Sequence, residues 1–186
     1  MPAPLFVTFA AGLEGGWRID RVTAVAGAGL LVAPWLDVRE GPHADDPNDA
    51  DLWRLRGTTS NLRYTTSAEN IRLTSIEARL GRPAATRAAL IPIRKVAAWW
   101  DLPQDERRAI LEDRSHHIAL GLRYLPAVAR RLHHSRELGE EFDFLTWFEY
   151  APADAAAFEE LVARLRQTEE WRYVDREVDI RLSRDR

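Results

Sequence analysis

The sequence predicts an α+β fold, and three observations carry that expectation. Several short stretches alternate with the period of two of a half-buried strand. In residues 142–150, Phe142, Phe144, Thr146, Phe148 and Tyr150 fall on one face and Asp143, Leu145, Trp147 and Glu149 on the other. Residues 154–167 place Phe158, Leu161, Val162 and Leu165 at i, i+3, i+4 and i+7, the apolar stripe of an amphipathic helix. The order after Ala89 then reads strand, helices, strand, helix, strand. That is the pattern of a ferredoxin-like unit, with helices over one face of an antiparallel sheet.

Taken in order, residues 5–10 and 17–25 read as short strands around the glycine-rich turn at 12–16. Residues 41–50, GPHADDPNDA, read as a polar loop, and 52–64 as a strand. Residues 65–80 are ambiguous: Leu73, Ile76 and Leu80 permit a helix, while the run LTSI favours a strand, which is the reading adopted. Residues 89–95, ALIPIRK, form a strand at a sheet position that tolerates Pro92. Residues 103–114 form a helix, acidic at its start. Pro126 breaks a straight helix, so a new helix is expected to start near it and run to Gly139 as its C-terminal cap. In 171–182, Val174, Val178, Ile180 and Leu182 share one face of a last strand.

A chain of 186 residues, 46% hydrophobic, is long enough for one globular unit or two small fused halves. A net charge of −3 argues against a general nucleic-acid binder. No apolar run approaches the roughly 18–20 residues of a membrane span. The start lacks a basic segment followed by a long apolar one, which points to the cytoplasm. With no cysteine, disulfides, iron–sulfur clusters, thiolate-ligated haem and cysteine-ligated zinc are excluded. Metal chemistry must use His, Asp, Glu or Tyr.

The stretch 115–134, SHHIALGLRYLPAVARRLHH, packs four of the five histidines and three arginines into apolar, helix-forming sequence. A histidine can ligate a metal, and an arginine in an apolar wall can hold an anion. Each has an ordinary competitor. A lone helical histidine is more often solvated or hydrogen-bonded in a core, the reading given to His116, His133 and His134. From the residues alone, His116 and His117 are equal candidates. Arg130, followed by Arg131, resembles half of a solvated ion-pair face. Lys95 could simply end a strand, Trp99 could fill core or interface, and Glu170 could be a solvated helix end.

The strings RGTTSNLRYTT (56–66), LGRPAATRAALIPIRKVAAWW (80–100), SHHIALGLRYLPAVARRLHH (115–134), FDFLTWFEYAP (142–152) and TEEWRYVDREVDIRL (168–182) resemble chlorite dismutase, and within that family its short-chain, dimeric lineage. The resemblance spans roughly residues 52–182. It implies a dimeric α+β barrel of two ferredoxin-like halves, a shortened one at 1–88 and a haem-binding one at 89–186. It also implies a homodimer, and haem b as cofactor of an enzyme converting chlorite to chloride and dioxygen through ferryl iron and transient hypochlorite. By position, His117 would be the proximal iron ligand and Glu170 would accept a hydrogen bond from its other nitrogen. Arg130 would be the distal arginine, and Lys95 and Trp99 would line the haem edge.

The residues are compatible with this. His117 and Arg130 lie 13 positions apart, about 20 Å along a continuous helix. Gly121 and Pro126 argue against such a helix, so two elements can approach one group from opposite sides. One departure stands out: Glu77 occupies a distal-pocket position where the resemblance implies glutamine, and its carboxylate could pair with Arg130 or repel an anion. Competing readings are a coproheme decarboxylase-like enzyme, a non-enzymatic haem carrier or sensor, and a generic peroxidase. The distal arginine speaks against the first, its fitness to hold an anion favours catalysis over the second, and no distal histidine supports the last.

Overall fold

A computed structural model describes residues 4–46, 48–59, 65–76 and 79–185. The strands are β1 (Phe6–Gly12), β2 (Trp17–Ala26), β3 (Trp35–Glu40), β4 (Asp51–Thr59), β5 (Arg87–Lys95), β6 (Val128–His134), β7 (Phe144–Tyr150) and β8 (Val174–Ser183). The helices are α1 (Ser67–Ile76), α2 (Ala97–Asp101), α3 (Gln104–Arg108), which continues into a π-helical turn over Ala109–Arg114, α4 (His117–Tyr124) and α5 (Ala155–Arg166). The strands close a barrel in the order β1-β3-β2-β8-β5-β7-β6-β4, and every pairing is antiparallel. Read as β4-β1-β3-β2 and β8-β5-β7-β6, both runs follow the same fourth-first-third-second order. The fold is therefore a doubled ferredoxin-like α+β barrel. Closure through β2–β8 and β4–β6 leaves neither sheet with two open edges.

Strand alternation builds two cores. Phe9, Trp17, Leu55, Leu90, Trp147 and Ile180 fill the barrel interior. On the outer face of the second sheet, Ile91, Phe148 and Tyr150 meet Phe158, Leu161 and Leu165 of α5. β5 is therefore apolar on both faces. Its pairing with β8 passes from Leu90 to Ile93, skipping the residues around Pro92, where the missing N–H would leave a gap.

The structure corrects two expectations. Residues 67–76 are helical, because Thr66 and Glu69 form a reciprocal cap: Thr66 N–H donates to Glu69 Oε2 at 2.8 Å, and Glu69 N–H donates to Thr66 Oγ1 at 3.3 Å. The expected helix from Pro126 to Gly139 is strand β6, followed by a 3₁₀ turn, Arg136–Leu138, that ends at Gly139 with φ +74°. All seven β6 residues pair with β7, and this tertiary demand overrides the weak helix preference of VARRL. β6 inserts the strand that completes the β-α-β-β-α-β order. Strand β3 had no sequence assignment, and Phe142, expected beside Phe144, packs into the barrel interior ahead of β7. Among the described residues, no helix is long and apolar enough to cross a membrane.

Candidate active-site cavity

An open cavity lies between the outer face of the second sheet and helices α4 and α5. His117, Glu170, Lys95, Trp99 and Arg130 all line it. Glu77 lies outside the described residues.

His117 is the first residue of α4, and its placement is elaborately held. The π-helical turn brings the Glu112 carboxylate to the start of α4, where it accepts the backbone N–H groups of Ile118 (2.7 Å) and Ala119 (3.3 Å). A helix N-terminus leaves such donors unsatisfied, and here a side chain from the preceding turn caps them. His116 turns the chain between the two helices in a left-handed conformation, φ 52° and ψ 34°. This is sparsely populated for a residue with a side chain and costs on the order of 1 kcal/mol.

Behind His117 stands a buried carboxylate. His117 Nδ1 lies 2.6 Å from Glu170 Oε2, and Lys95 Nζ donates to Glu170 Oε1 at 2.8 Å. Glu170 sits in the 3₁₀ turn that leads into β8, and its own N–H donates to Ser115 Oγ at 2.9 Å. Lys95 closes β5, where its N–H donates to Asp143 Oδ2 at 2.6 Å, and its ammonium lies 4.7 Å from the Trp99 ring centroid. Burial alone would raise the Glu170 carboxyl. The positive charges of His117 and Lys95 outweigh it and hold the group at about 2. When the imidazole gives up one of its two protons to bind a metal, the ionised carboxylate keeps the other on Nδ1, which leaves the Nε2 lone pair for the metal.

Arg130 reaches the cavity from the sheet. On β6, Val128 and Leu132 pack into the outer core while Arg130 and His134 point into the cavity. The Arg130 guanidinium ends beside Gly121 of α4: a Cβ on Gly121 would lie 3.8 Å from Arg130 Cζ. Gly121, one turn past His117, thus backs the guanidinium at ordinary contact distance between sheet and helix. The remaining walls are mostly apolar, with Ile91, Leu132, Phe144, Phe148 and Leu161 among them. One carboxylate-backed imidazole, His117, beside an apolar slot suits a flat macrocyclic cofactor that needs a single protein ligand.

Several contributors had no sequence reading of this kind. Ser115 holds the Glu170 backbone. Glu112 had no sequence reading; Gly121 entered only as a helix breaker and Asp143 only as a position on one face of β7's stretch. Trp171 and Glu177 line the cavity too, joined by a 2.8 Å hydrogen bond from the indole N–H to Oε2. Glu177 also accepts from Arg166, which bridges to Asp179, so a buried ionic cluster ties α5 to β8.

Comparison with known proteins agrees with this architecture. The chlorite dismutase family model matches residues 53–185. A curated chlorite dismutase of Ideonella dechloratans is 30% identical over 158 residues, 84% of this chain and 51% of that protein, so the chain spans about half the length of this relative. A dimeric chlorite dismutase of Nitrobacter winogradskyi is 57% identical with a TM-score of 0.88, covering 96% of this chain and 99% of that one. A chlorite dismutase of Candidatus Nitrospira defluvii, solved with imidazole, is 19% identical with a TM-score of 0.60, covering 96% and 91%, and shares the fold. By its sequence from residue 53 onward and by its doubled barrel, this chain belongs to the chlorite dismutase family.

Proposed function

We propose that this chain is a haem b-dependent chlorite dismutase that converts chlorite to chloride and dioxygen, and that it acts as a homodimer. The observation that carries the reading is one cavity that receives both a carboxylate-backed imidazole, His117, and a guanidinium, Arg130. Family membership and the likeness to the dimeric Nitrobacter winogradskyi protein support it. We read residues 1–88 and 89–186 as the two halves, with the site in the second.

Haem b would be held by His117 Nε2, with Trp99 and Lys95 toward its edge, and would supply an iron able to exchange an oxygen atom with chlorite. The chain supplies the rest. Glu170 accepts a hydrogen bond from His117 Nδ1–H and makes the imidazole a stronger electron donor, while Lys95 balances the carboxylate's charge. Arg130 attracts chlorite into a site of low dielectric, where a cation acts more strongly than in water. With haem supplying the oxygen-atom chemistry, Arg130 would keep a hypochlorite anion at the site by its charge instead of letting it diffuse away. The balance is one chlorite in, one chloride and one dioxygen out. Retention of hypochlorite is an effect of proximity and charge, worth orders of magnitude in effective concentration. Glu77, assigned to the distal pocket by resemblance, would modulate Arg130 through its charge. Replacement by glutamine should then change chlorite affinity or its pH dependence.

Arg130→Ala tests the role that separates an enzyme from a haem carrier or sensor. The variant is expected to turn over more slowly and to release hypochlorite that a chlorination trap captures. Normal oxygen yield with nothing trapped would overturn the role.

A further inference from the structure

Seven large apolar side chains are exposed among the described residues, and five of them, Leu13, Leu31, Val32, Trp35 and Leu52, gather at one end of the first sheet. The register places them together. Gly12 pairs with Trp35 on one side and with Asp51 on the other, so Leu13, Trp35 and Leu52 leave the barrel side by side. Leu31 and Val32 join them from residues 27–34, GAGLLVAP, a segment with no charge. β3 pairs with β2 only at Trp17 and Arg18, and this segment takes the place of a strand beside the rest of β2.

The segment is pinned through its backbone. Arg176, itself buried, donates to Ala28 O at 2.7 Å and to Gly29 O at 3.1 Å. Trp53 Nε1 donates to Leu31 O at 2.9 Å, Ile19 N–H donates to Pro34 O at 2.9 Å, and Gly29 packs over Ala24. Leu31 and Val32 nonetheless remain 69% and 78% exposed. An apolar surface held in fixed shape at the solvent boundary has already lost the conformational entropy that binding would otherwise remove, and contiguous patches of this kind mark interaction sites.

We propose that this patch is the interface through which two copies of the chain assemble, with Leu31 and Val32 as its anchors. The inference rests on the homodimer proposed above. A two-fold interface sets one surface against itself, so a charged patch would meet its own sign, whereas an uncharged apolar one is self-complementary without any pairing. The relative whose chain this one covers almost completely is described as dimeric, and a stable dimer needs about 800 Å² of each partner's surface. Among the described residues, the other two exposed large apolar side chains are Val25 on β2 and Ile71 on α1.

The experiment is the mass of haem-loaded protein in solution, by light scattering across a dilution series, for the wild type, the Leu31→Asp/Val32→Asp double variant and Ile71→Asp. Wild type and Ile71→Asp should be dimers. The double variant should be a monomer, its dissociation constant raised at least about thirtyfold, with circular dichroism and haem absorption unchanged. Leu52→Lys, on the far side of the patch, should weaken the dimer in the same direction and serves if the double variant fails to fold. A dimer of unchanged affinity in the variants would overturn the patch and leave the dimer standing. A wild type that is monomeric at micromolar concentration would overturn the dimer, and the patch with it.

Discussion

Lys95 and Glu170 form an ion pair away from solvent, Nζ to Oε1 at 2.8 Å, with side chains 1% and 5% exposed, and the other oxygen of the same carboxylate faces His117. Strand β5 and the turn before β8 thus meet at one carboxylate, which joins fold stability to the orientation of the proposed iron ligand. A buried charge is tolerated when it is paired, and costs several kcal/mol when it loses its partner.

Glu170→Ala should therefore destabilise the cofactor-free protein by about 3–5 kcal/mol, because it strands the Lys95 ammonium. Lys95→Met combined with Glu170→Gln should recover much of that loss. Urea unfolding of the two variants checks the sign. A double variant no more stable than the single one would mean that Lys95 is satisfied in another way.

Gly121 borders the space that the Arg130 guanidinium occupies. A Cβ at ordinary contact distance, 3.8 Å from the guanidinium carbon, should be accommodated, so Gly121→Ala should keep turnover within about threefold. Gly121→Leu should displace the guanidinium and cut kcat/KM for chlorite by about a hundredfold, as misplacement of a charged group by an ångström does. Similar kinetics for the two variants would remove Gly121 from the account.

His133 gives the fold a titration in mild acid. It points into the barrel, fully buried, edge-on to Phe9 at 5.1 Å. Its Nδ1–H donates to Leu145 O at 3.0 Å and its Nε2 accepts from Arg131 Nε at 3.2 Å. Burial pushes its pKa down from 6.5 to about 4; the hydrogen bond to Leu145 opposes this, while Arg131 and His134 reinforce it. The unfolded chain takes up its proton first, so the contribution is intact above pH 6.5 and is lost as pH falls towards 4, by about 3 kcal/mol in all. His133→Leu should be less stable at neutral pH and should lose this part of the acid slope. An unchanged slope would assign the loss to other groups.

Gly57 is required by the same histidine. A Cβ there would stand 2.7 Å from His133 Cβ, a distance that forces β4 and β6 apart. Gly57→Ala should destabilise the protein by about 1–3 kcal/mol, read by thermal unfolding, and more than Gly16→Ala, where a Cβ would meet only Asp37 Oδ1, at 3.8 Å.

The strands with strict alternation, β7 and β8, and the amphipathic α5 were legible because their period is set by one buried face. β6 was not. Val128, Ala129, Arg130, Arg131 and Leu132 carry no strong strand preference, and only a neighbour far along the chain makes them a strand. α1 was legible in principle: Thr66 and Glu69 have the spacing of a reciprocal cap, and the LTSI run obscured it. Within the site, residue types alone could not separate His117 from His116. What distinguishes them is the left-handed turn at His116, which sends only His117 towards Glu170, a relation between positions 53 residues apart.

The central claim is that His117 and Arg130 serve one reaction in one cavity. The most direct test is oxygen evolution at an electrode after chlorite is mixed with haem-loaded protein, with His117→Ala in parallel. The account predicts rapid release of one dioxygen per chlorite by the wild type and none by the variant. A haem-bound wild type that evolves no oxygen would contradict it and leave a haem carrier or sensor, or a coproheme enzyme, as the reading to pursue.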